Sequence, residues 1–228
     1  MGKLRLSRRL RRPGLRSVAG LVGAAFVASG VFLDAPSASA DNFGATNCIT
    51  FGSSYQYTEC VSRANNSAHV VKLDGSFGTN NWYDIPNMDT AVRDRLSNTY
   101  DPTVLTAYVN QNDPYPDVVA ADYNWEGTDG VVGWAFCPSY NTGTGGSGTN
   151  TWCRGQRIFF SSWWYWNTTL LDTWEARHFL ACHELGHTLG LRHNWSDGDS
   201  CMRTGESAWN TRNRFLSAHD RDHINASY

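Results

Sequence analysis

The sequence predicts a mixed domain, of the α/β or α+β kind, built on a twisted and mostly parallel β-sheet. Five short runs rich in β-branched and aromatic residues have the length and composition of strands, and two longer segments have helical features. Strands and helices are interspersed over most of the chain, whereas its last part shows little periodicity. We therefore expect a layered body of sheet and helices, followed by an irregular C-terminal subdomain.

The first 40 residues are predicted to be a secretory signal peptide and not part of the fold. Residues 1–16 are basic without any acid, and residues 18–33 form an apolar run shorter than the ~20 residues of a membrane span. They lead to a small-residue cleavage site, Ala38-Ser39-Ala40. The general export route is favoured over a twin-arginine route, and a retained anchor is the remaining alternative. We expect residues 41–228 to be a secreted, monomeric domain without a membrane partner.

The predicted mature domain is acidic, which argues against a nucleic-acid partner. It retains 12 Lys and Arg against 20 Asp and Glu, a net charge of −8, whereas nucleic-acid binding needs a basic surface. All six cysteines lie in this domain, and an even number in an exported chain predicts disulfides. A cysteine metal site is disfavoured because no C-x-x-C spacing occurs. Proximity in sequence favours the pairs Cys48–Cys60, Cys137–Cys153 and Cys182–Cys201.

The elements before the longest helix follow from local composition. A helix is predicted over residues 86–98, where apolar side chains recur every four residues along one face. The Gly- and Asn-rich residues 141–150 predict a loop. The predicted strands are 69–73, 103–109, 117–123, 130–137 and 156–162.

The longest predicted helix has clear signals at both ends. Asp172 is the expected N-cap, and Glu175 can complete a capping box with it. The helix should run to about Leu189, where Gly190 allows a turn with positive φ. A further short helix is expected near residues 217–224.

This helix carries a pattern typical of a metal site. His183 and His187 are four residues apart, so they lie ~40° apart on one helical face and can bind the same ion. Glu184 lies roughly 100° further round the helix, beside the ion instead of facing it. The turn at Gly190 can bring His193 back as a third ligand. Three imidazoles and one open position are the ligand set of a single catalytic Zn²⁺.

The same pattern predicts hydrolytic chemistry. Zinc lowers the pKa of a bound water towards ~7, and a nearby carboxylate can then accept the proton. Glu184 is therefore the expected general base, which later returns the proton to the leaving amine. A lone H-E-x-x-H often occurs by chance, but Gly190 and His193 at fixed spacing argue against chance here.

The segment HELGHTLGLRH, residues 183–193, matches H-E-x-x-H-x-x-G-x-x-H, and by this match the chain resembles the metzincin clan of zinc endopeptidases. It is similar to matrixin-like and snapalysin-like secreted bacterial members. The resemblance covers residues 68–228 and implies a zincin domain with an antiparallel edge strand and an active-site helix. It also implies that Met202 lies in a methionine-containing turn beneath the metal. By the same analogy, an extended substrate would pair with the edge strand near Trp134 and Ala135.

Two positions depart from patterns within that clan. Asn194 follows the third histidine, where matrixins typically have Ser, astacins Glu and adamalysins Asp. Thr204 stands two residues after Met202, so the fifth, tyrosine ligand of astacins is absent. No matrixin-type cysteine-switch propeptide is recognisable, and the means of latency is left open.

Two weaker signals have simpler explanations. Asp197 and Asp199 could bind a structural Ca²⁺, but their segment is shorter than a calcium loop, and a plain turn is favoured. The aromatic residues 161–167 could bind carbohydrate, although core packing and a wall of the substrate cleft are favoured.

A zinc endopeptidase acting on polypeptides is therefore the expected function, and two alternatives remain. A non-proteolytic zinc protein could bind a partner or glycan, but binding alone does not require Glu184. A metal amidase acting on cell-wall peptides or small amides would use the same residues. A casein digest compared with a small-amide assay would separate this amidase from the endopeptidase.

Overall fold

The computed structural model describes the part of the chain that carries the predicted sheet and active-site helix. The described residues are 66–79, 81, 84–100, 102–125, 131–136, 140–141, 152–153, 155–194, 199–203 and 214–228. The predicted signal peptide, the Cys48–Cys60 pair and residues 142–150 lie outside them. Within the described ranges, no helix has both the length and the apolar character needed to cross a bilayer.

A five-stranded sheet runs through the centre of the fold, and a two-stranded hairpin stands apart from it. The strands in chain order are β1 Ala68–Leu73, β2 Thr106–Val109, β3 Val118–Tyr123, β4 Gly133–Phe136, β5 Tyr140–Asn141, β6 Trp152–Cys153 and β7 Gln156–Ser161. The sheet order is β2-β1-β3-β7-β4, with β5 and β6 forming the hairpin. All pairs in the sheet are parallel except β4 with β7, which is antiparallel. The prediction of a mostly parallel sheet with an antiparallel edge strand is thus confirmed.

The strand boundaries differ from the prediction where turns end the neighbouring elements. β2 begins at Thr106, because both the backbone N–H and the hydroxyl of Thr103 donate to the Tyr100 carbonyl and extend the preceding turn. β4 is limited to four residues of the predicted 130–137. Asn141, predicted to begin a loop, belongs to β5.

Four helices accompany the strands in the described part of the chain: α1 Met88–Tyr100, α2 Ser162–Asn167, α3 Trp174–Thr188 and α4 Ala218–Ser227. The predicted apolar face of α1 is buried, and α1 packs against α3. One face of the sheet completes this core; its buried side chains include Val71, Leu73, Val118, Ala120, Ile158 and Phe160. The helices expected over 86–98 and near 217–224 are therefore confirmed, with small shifts at their ends.

Helix α2 was not predicted, since its aromatic residues have no clear helical face. The aromatic side chains of residues 163–165 are half-buried and that of Trp166 is exposed. The Trp164 indole N–H donates to the Val131 carbonyl at 2.8 Å, just before the edge strand. Contact with a distant segment, not local periodicity, therefore anchors this short helix.

Helix α3 ends at the predicted position, but its start was wrongly assigned. Thr173, not Asp172, is the N-cap: its hydroxyl accepts from the Ala176 N–H, so no Asp172–Glu175 capping box forms. At the other end, Gly190 has φ 95°, as predicted. The N–H groups of Gly190 and Leu191 bond back into the last turn, which is the Schellman arrangement that reverses a chain after a helix.

Candidate metal centre

Three imidazole rings converge at the C-terminal end of α3. His183 and His187 lie one turn apart on the helix, and the reversal at Gly190 places His193 against them. The His183 Nε2 lies 3.1 Å from the Nε2 atoms of both His187 and His193. We call these three residues the histidine trio; one nitrogen from each lies within 4.8 Å of the others.

Backbone carbonyls fix the orientation of the two helical rings. His183 Nδ1 lies 2.7 Å from the Cys201 carbonyl oxygen, and His187 Nδ1 lies 2.7 Å from that of Leu191. A carbonyl can only accept, so each Nδ1 must carry the proton and each Nε2 is left with a lone pair. This is the second-shell arrangement that orients histidines bound to a metal.

The trio is held in its neutral form, which is the form that binds metals. Burial, with the neighbouring His193, lowers the pKa of His183 to about 3 despite the opposing Cys201 carbonyl. Burial also lowers the pKa of His193 to about 4 and that of His187 well below its usual value. None of the three imidazoles is therefore expected to carry a proton on both nitrogens near neutral pH.

Glu184 lies in the same buried region with unused hydrogen-bonding capacity. Only 2% of its surface is exposed, and burial raises its pKa well above the usual range. Its Oε2 is a buried oxygen with no hydrogen-bond partner in the described part of the chain. A buried carboxyl of this kind is costly unless a cation or ligand compensates it, and a neighbouring cation would favour its ionised form.

The edge strand β4 passes directly beside this glutamate. A Cβ on Gly133 would lie 2.7 Å from Glu184 Oε1 and 3.0 Å from a methyl of Leu180. The absence of a side chain at Gly133 therefore allows the strand backbone to approach the carboxylate. No strand pairs with the outer edge of β4 among the described residues.

Met202 packs beside the helical turn that carries two of the histidines, and its expected position in a turn beneath the metal stays a prediction. Its side chain is fully buried and packs against the α3 backbone at Gly186, where a Cβ would overlap the Met202 sulfur. The Met202 carbonyl accepts from the Asn194 N–H at 2.9 Å, next to the third histidine. The Met202 turn therefore contacts both the helix and the chain segment that bear the trio.

A disulfide and a buried aspartate anchor the segment that contains Met202. Cys182 and Cys201 are bonded, with their Cα atoms 6.0 Å apart, and both are fully buried. From α4, the Asp220 carboxylate accepts from the Ser200 hydroxyl, and that hydroxyl accepts from the Met202 N–H at 2.8 Å. The carbonyl that orients His183 thus lies between Ser200 and Met202, both of which are anchored to α4.

The geometry of the trio fits a tetrahedral metal ion. Two nitrogens 3.1 Å apart, each about 2.05 Å from a common ion, subtend about 100° at that ion. Three neutral nitrogens with converging lone pairs repel one another unless a cation lies between them. These residues therefore can hold a metal ion, and the histidine donors suit zinc among other transition metals.

The remaining sequence-predicted residues are placed less decisively. Ala135 is buried in the core, whereas Trp134 lies on the opposite face of the sheet, with its ring centroid 5.0 Å from that of Phe159. Substrate pairing with their strand stays a prediction. Cys153 is disulfide-bonded, but Cys137 lies outside the described residues. Asp199 is exposed and Asp197 is not described, so the calcium alternative gains no support.

Sequence reasoning did not identify four residues that shape the site: Gly133, Gly186, Ser200 and Asp220. Only one of them left a usable signal. Ser217 and Asp220 have capping-box spacing, and that box forms at the start of α4. Nothing in the sequence connects Asp220 with Ser200, 20 residues earlier.

Comparison with known proteins adds no family to this description. No protein-family model matches the chain, and no curated protein sequence matches it.

Proposed function

We propose that the protein is a secreted zinc endopeptidase of the metzincin type, with residues 41–228 as its catalytic domain. One observation carries this proposal: the imidazole nitrogens of the trio converge at the helical turn that also carries Glu184, a buried residue whose Oε2 has no hydrogen-bond partner in the described part of the chain. A purely structural metal site would not need that carboxyl. In such a site a fourth protein ligand usually occupies the remaining coordination position of the metal.

Each residue of the site has a specific role under this proposal. His183, His187 and His193 hold the ion, which supplies Lewis acidity that activates water and polarises a carbonyl. Glu184 accepts a proton from the attacking water and delivers it to the leaving amine nitrogen. Burial raises the pKa of Glu184, and a bound cation would oppose this by favouring the ionised form that can accept a proton.

The proposed substrate is an extended polypeptide bound along β4. Main-chain hydrogen bonds to the outer edge of this strand would align a peptide antiparallel to it. Gly133, Trp134 and Ala135 belong to the strand, and a Cβ on Gly133 would meet the carboxyl of the proposed general base. A peptide on this edge would therefore pass in front of Glu184 and the trio.

The decisive experiment compares Glu184→Gln with the wild type in a casein digest, with metal content measured on the same samples. Glutamine keeps the shape of the side chain but cannot act as a base, so digestion should fall by at least about 100-fold. Metal content should equal that of the wild type, because Glu184 is not a ligand. Equal digestion by the two proteins would refute the proposed mechanism.

Glu175→Gln provides a matched control on the same helix. Glu175 lies in the first turn of α3, two turns before the trio, and its replacement should leave digestion unchanged. Parallel assays on small amides would show whether the enzyme prefers proteins or small amides. Activity on small amides alone would support the amidase alternative instead.

A further inference from the structure

A second histidine pair lies on α4, outside the site described above. His219 and His223 are four residues apart, and their Nε2 atoms are 3.1 Å apart. His219 and His223 are both half-buried, so each retains a surface that an ion could reach from solvent. Neither residue has a role in the proposed hydrolysis.

The geometry of this pair reproduces that of the two metal-site histidines on α3. The rings of His219 and His223 have centroids 4.4 Å apart and an interplanar angle of 83°. The corresponding values for His183 and His187 are 4.7 Å and 86°, with the same 3.1 Å between Nε2 atoms. In both pairs the two Nε2 atoms are therefore close enough for one ion to bind both.

Asp220, the acidic residue directly after His219, has hydrogen-bond partners other than the two rings. Asp220 lies between them in sequence, but it is fully buried and bonds to Ser200 and Ser217. It faces the Met202 turn and is not available to a ligand at the surface. The pair would therefore offer two imidazole donors, with solvent completing the coordination.

We propose that His219 and His223 form an accessory binding site for a divalent transition-metal ion such as Zn²⁺. Neutral imidazole nitrogens favour Zn²⁺, Ni²⁺ and Cu²⁺ over the oxygen-seeking Ca²⁺ and Mg²⁺. An ion that bridges one turn of α4 also stabilises that helix, because it binds the folded form only. The site is independent of the proposed peptidase activity.

The test measures zinc stoichiometry by equilibrium dialysis of the full mature chain against increasing free Zn²⁺. The wild type should bind one equivalent more than either His219→Gln or His223→Gln at saturation. Asp222→Asn is the matched control, since it removes a charge from the same exposed turn and keeps both rings. This control should retain the additional equivalent, and Ca²⁺ in place of Zn²⁺ should not occupy the site.

Equal zinc binding by the wild type and both histidine variants would overturn the proposal and leave a simple N–H···N hydrogen bond between the rings. Loss of the additional ion in Asp222→Asn alone would also overturn it, because an acidic site would then be responsible. Failure of the histidine trio to bind zinc would lower the stoichiometry of every variant equally. The difference between the wild type and the α4 variants would remain, so the two proposals fail separately.

Discussion

Replacing Gly186 with alanine tests whether the packing of Met202 against α3 constrains the metal site. Gly186 lies in the last turns of α3, between His183 and His187, and a Cβ there would overlap the buried Met202 sulfur. Met202 is fully buried, so its side chain cannot move into solvent to make room. The change therefore forces either the side chain or the helix to shift.

Two opposing effects set the expected size of this change. Alanine is a better helix former than glycine by about 1 kcal/mol, whereas overpacking a well-filled core costs roughly 1–3 kcal/mol. Since the overlap involves a fully buried side chain, we expect overpacking to dominate. The difference between these two ranges predicts that Gly186→Ala lowers the free energy of unfolding by up to about 2 kcal/mol.

A double-mutant cycle with Met202→Ala separates packing from other causes. Met202→Ala alone should cost about 2–5 kcal/mol, because it leaves a cavity. The new methyl group of Gly186→Ala can fill part of that cavity, so the double variant should be less destabilised than the sum by about 1 kcal/mol or more. Urea unfolding of the zinc-loaded and chelated proteins gives each free energy of unfolding.

Gly75→Ala is the control for glycine replacement itself. A Cβ at Gly75 would have no neighbour within 4 Å, so its effect should stay within about 0.5 kcal/mol. A stabilised Gly186→Ala variant would refute the packing argument. Strict additivity in the cycle would refute it as well.

Three further variants test the supports of the site and the pH response of the fold. Cys201→Ser opens a loop spanning 19 positions and should lower the free energy of unfolding by about 3 kcal/mol. Zinc retention, measured by dialysis, should fall as well. Unchanged stability and unchanged zinc retention would contradict this role of the disulfide. Asp220→Asn weakens the hydrogen bond from Ser200 and should lower the free energy of urea unfolding by about 1.5–3 kcal/mol. Zinc affinity should fall about tenfold or more. Unchanged zinc affinity would show that α4 does not orient the site. Burial raises the pKa of Asp122 from 3.8 to about 7, so its contribution to stability is greatest below pH 4 and is lost as pH rises to 7. Asp122→Asn should thus gain stability relative to the wild type between unfolding measurements at pH 4 and pH 7.5; a constant difference would argue against a raised pKa.

Much of the fold could be predicted because its signals are local. The four-residue spacing along α1, the β-branched runs of β1 and β3 and the Ile-Phe-Phe run of β7 identify elements whose side chains repeat with the period of the backbone. The end of α3 was equally predictable, since Gly190 is the residue type that a left-handed turn requires. By contrast, α2 depends on a bond from Trp164 to a distant carbonyl, and no local period predicts that contact.

The N-cap of α3 shows why local signals also fail at element ends. Asp172 and Thr173 are adjacent and both are suitable caps, so the sequence offered two positions one residue apart. The fold selects Thr173, whose hydroxyl accepts from Ala176, while the Asp172 carbonyl accepts from the Arg177 side chain. These hydrogen bonds, and not residue type alone, distinguish the two positions.

The sequence by itself determined the histidine trio, because two of its members lie on one helical turn and the third follows a glycine that reverses the chain. Only the tertiary structure decided what surrounds them. Gly133 meets Glu184 through the position of an edge strand, and Asp220 reaches Ser200 from another helix. Such contacts depend on how separate elements pack against one another. The spacing of residues along a single segment does not determine that packing, because it depends on the whole chain.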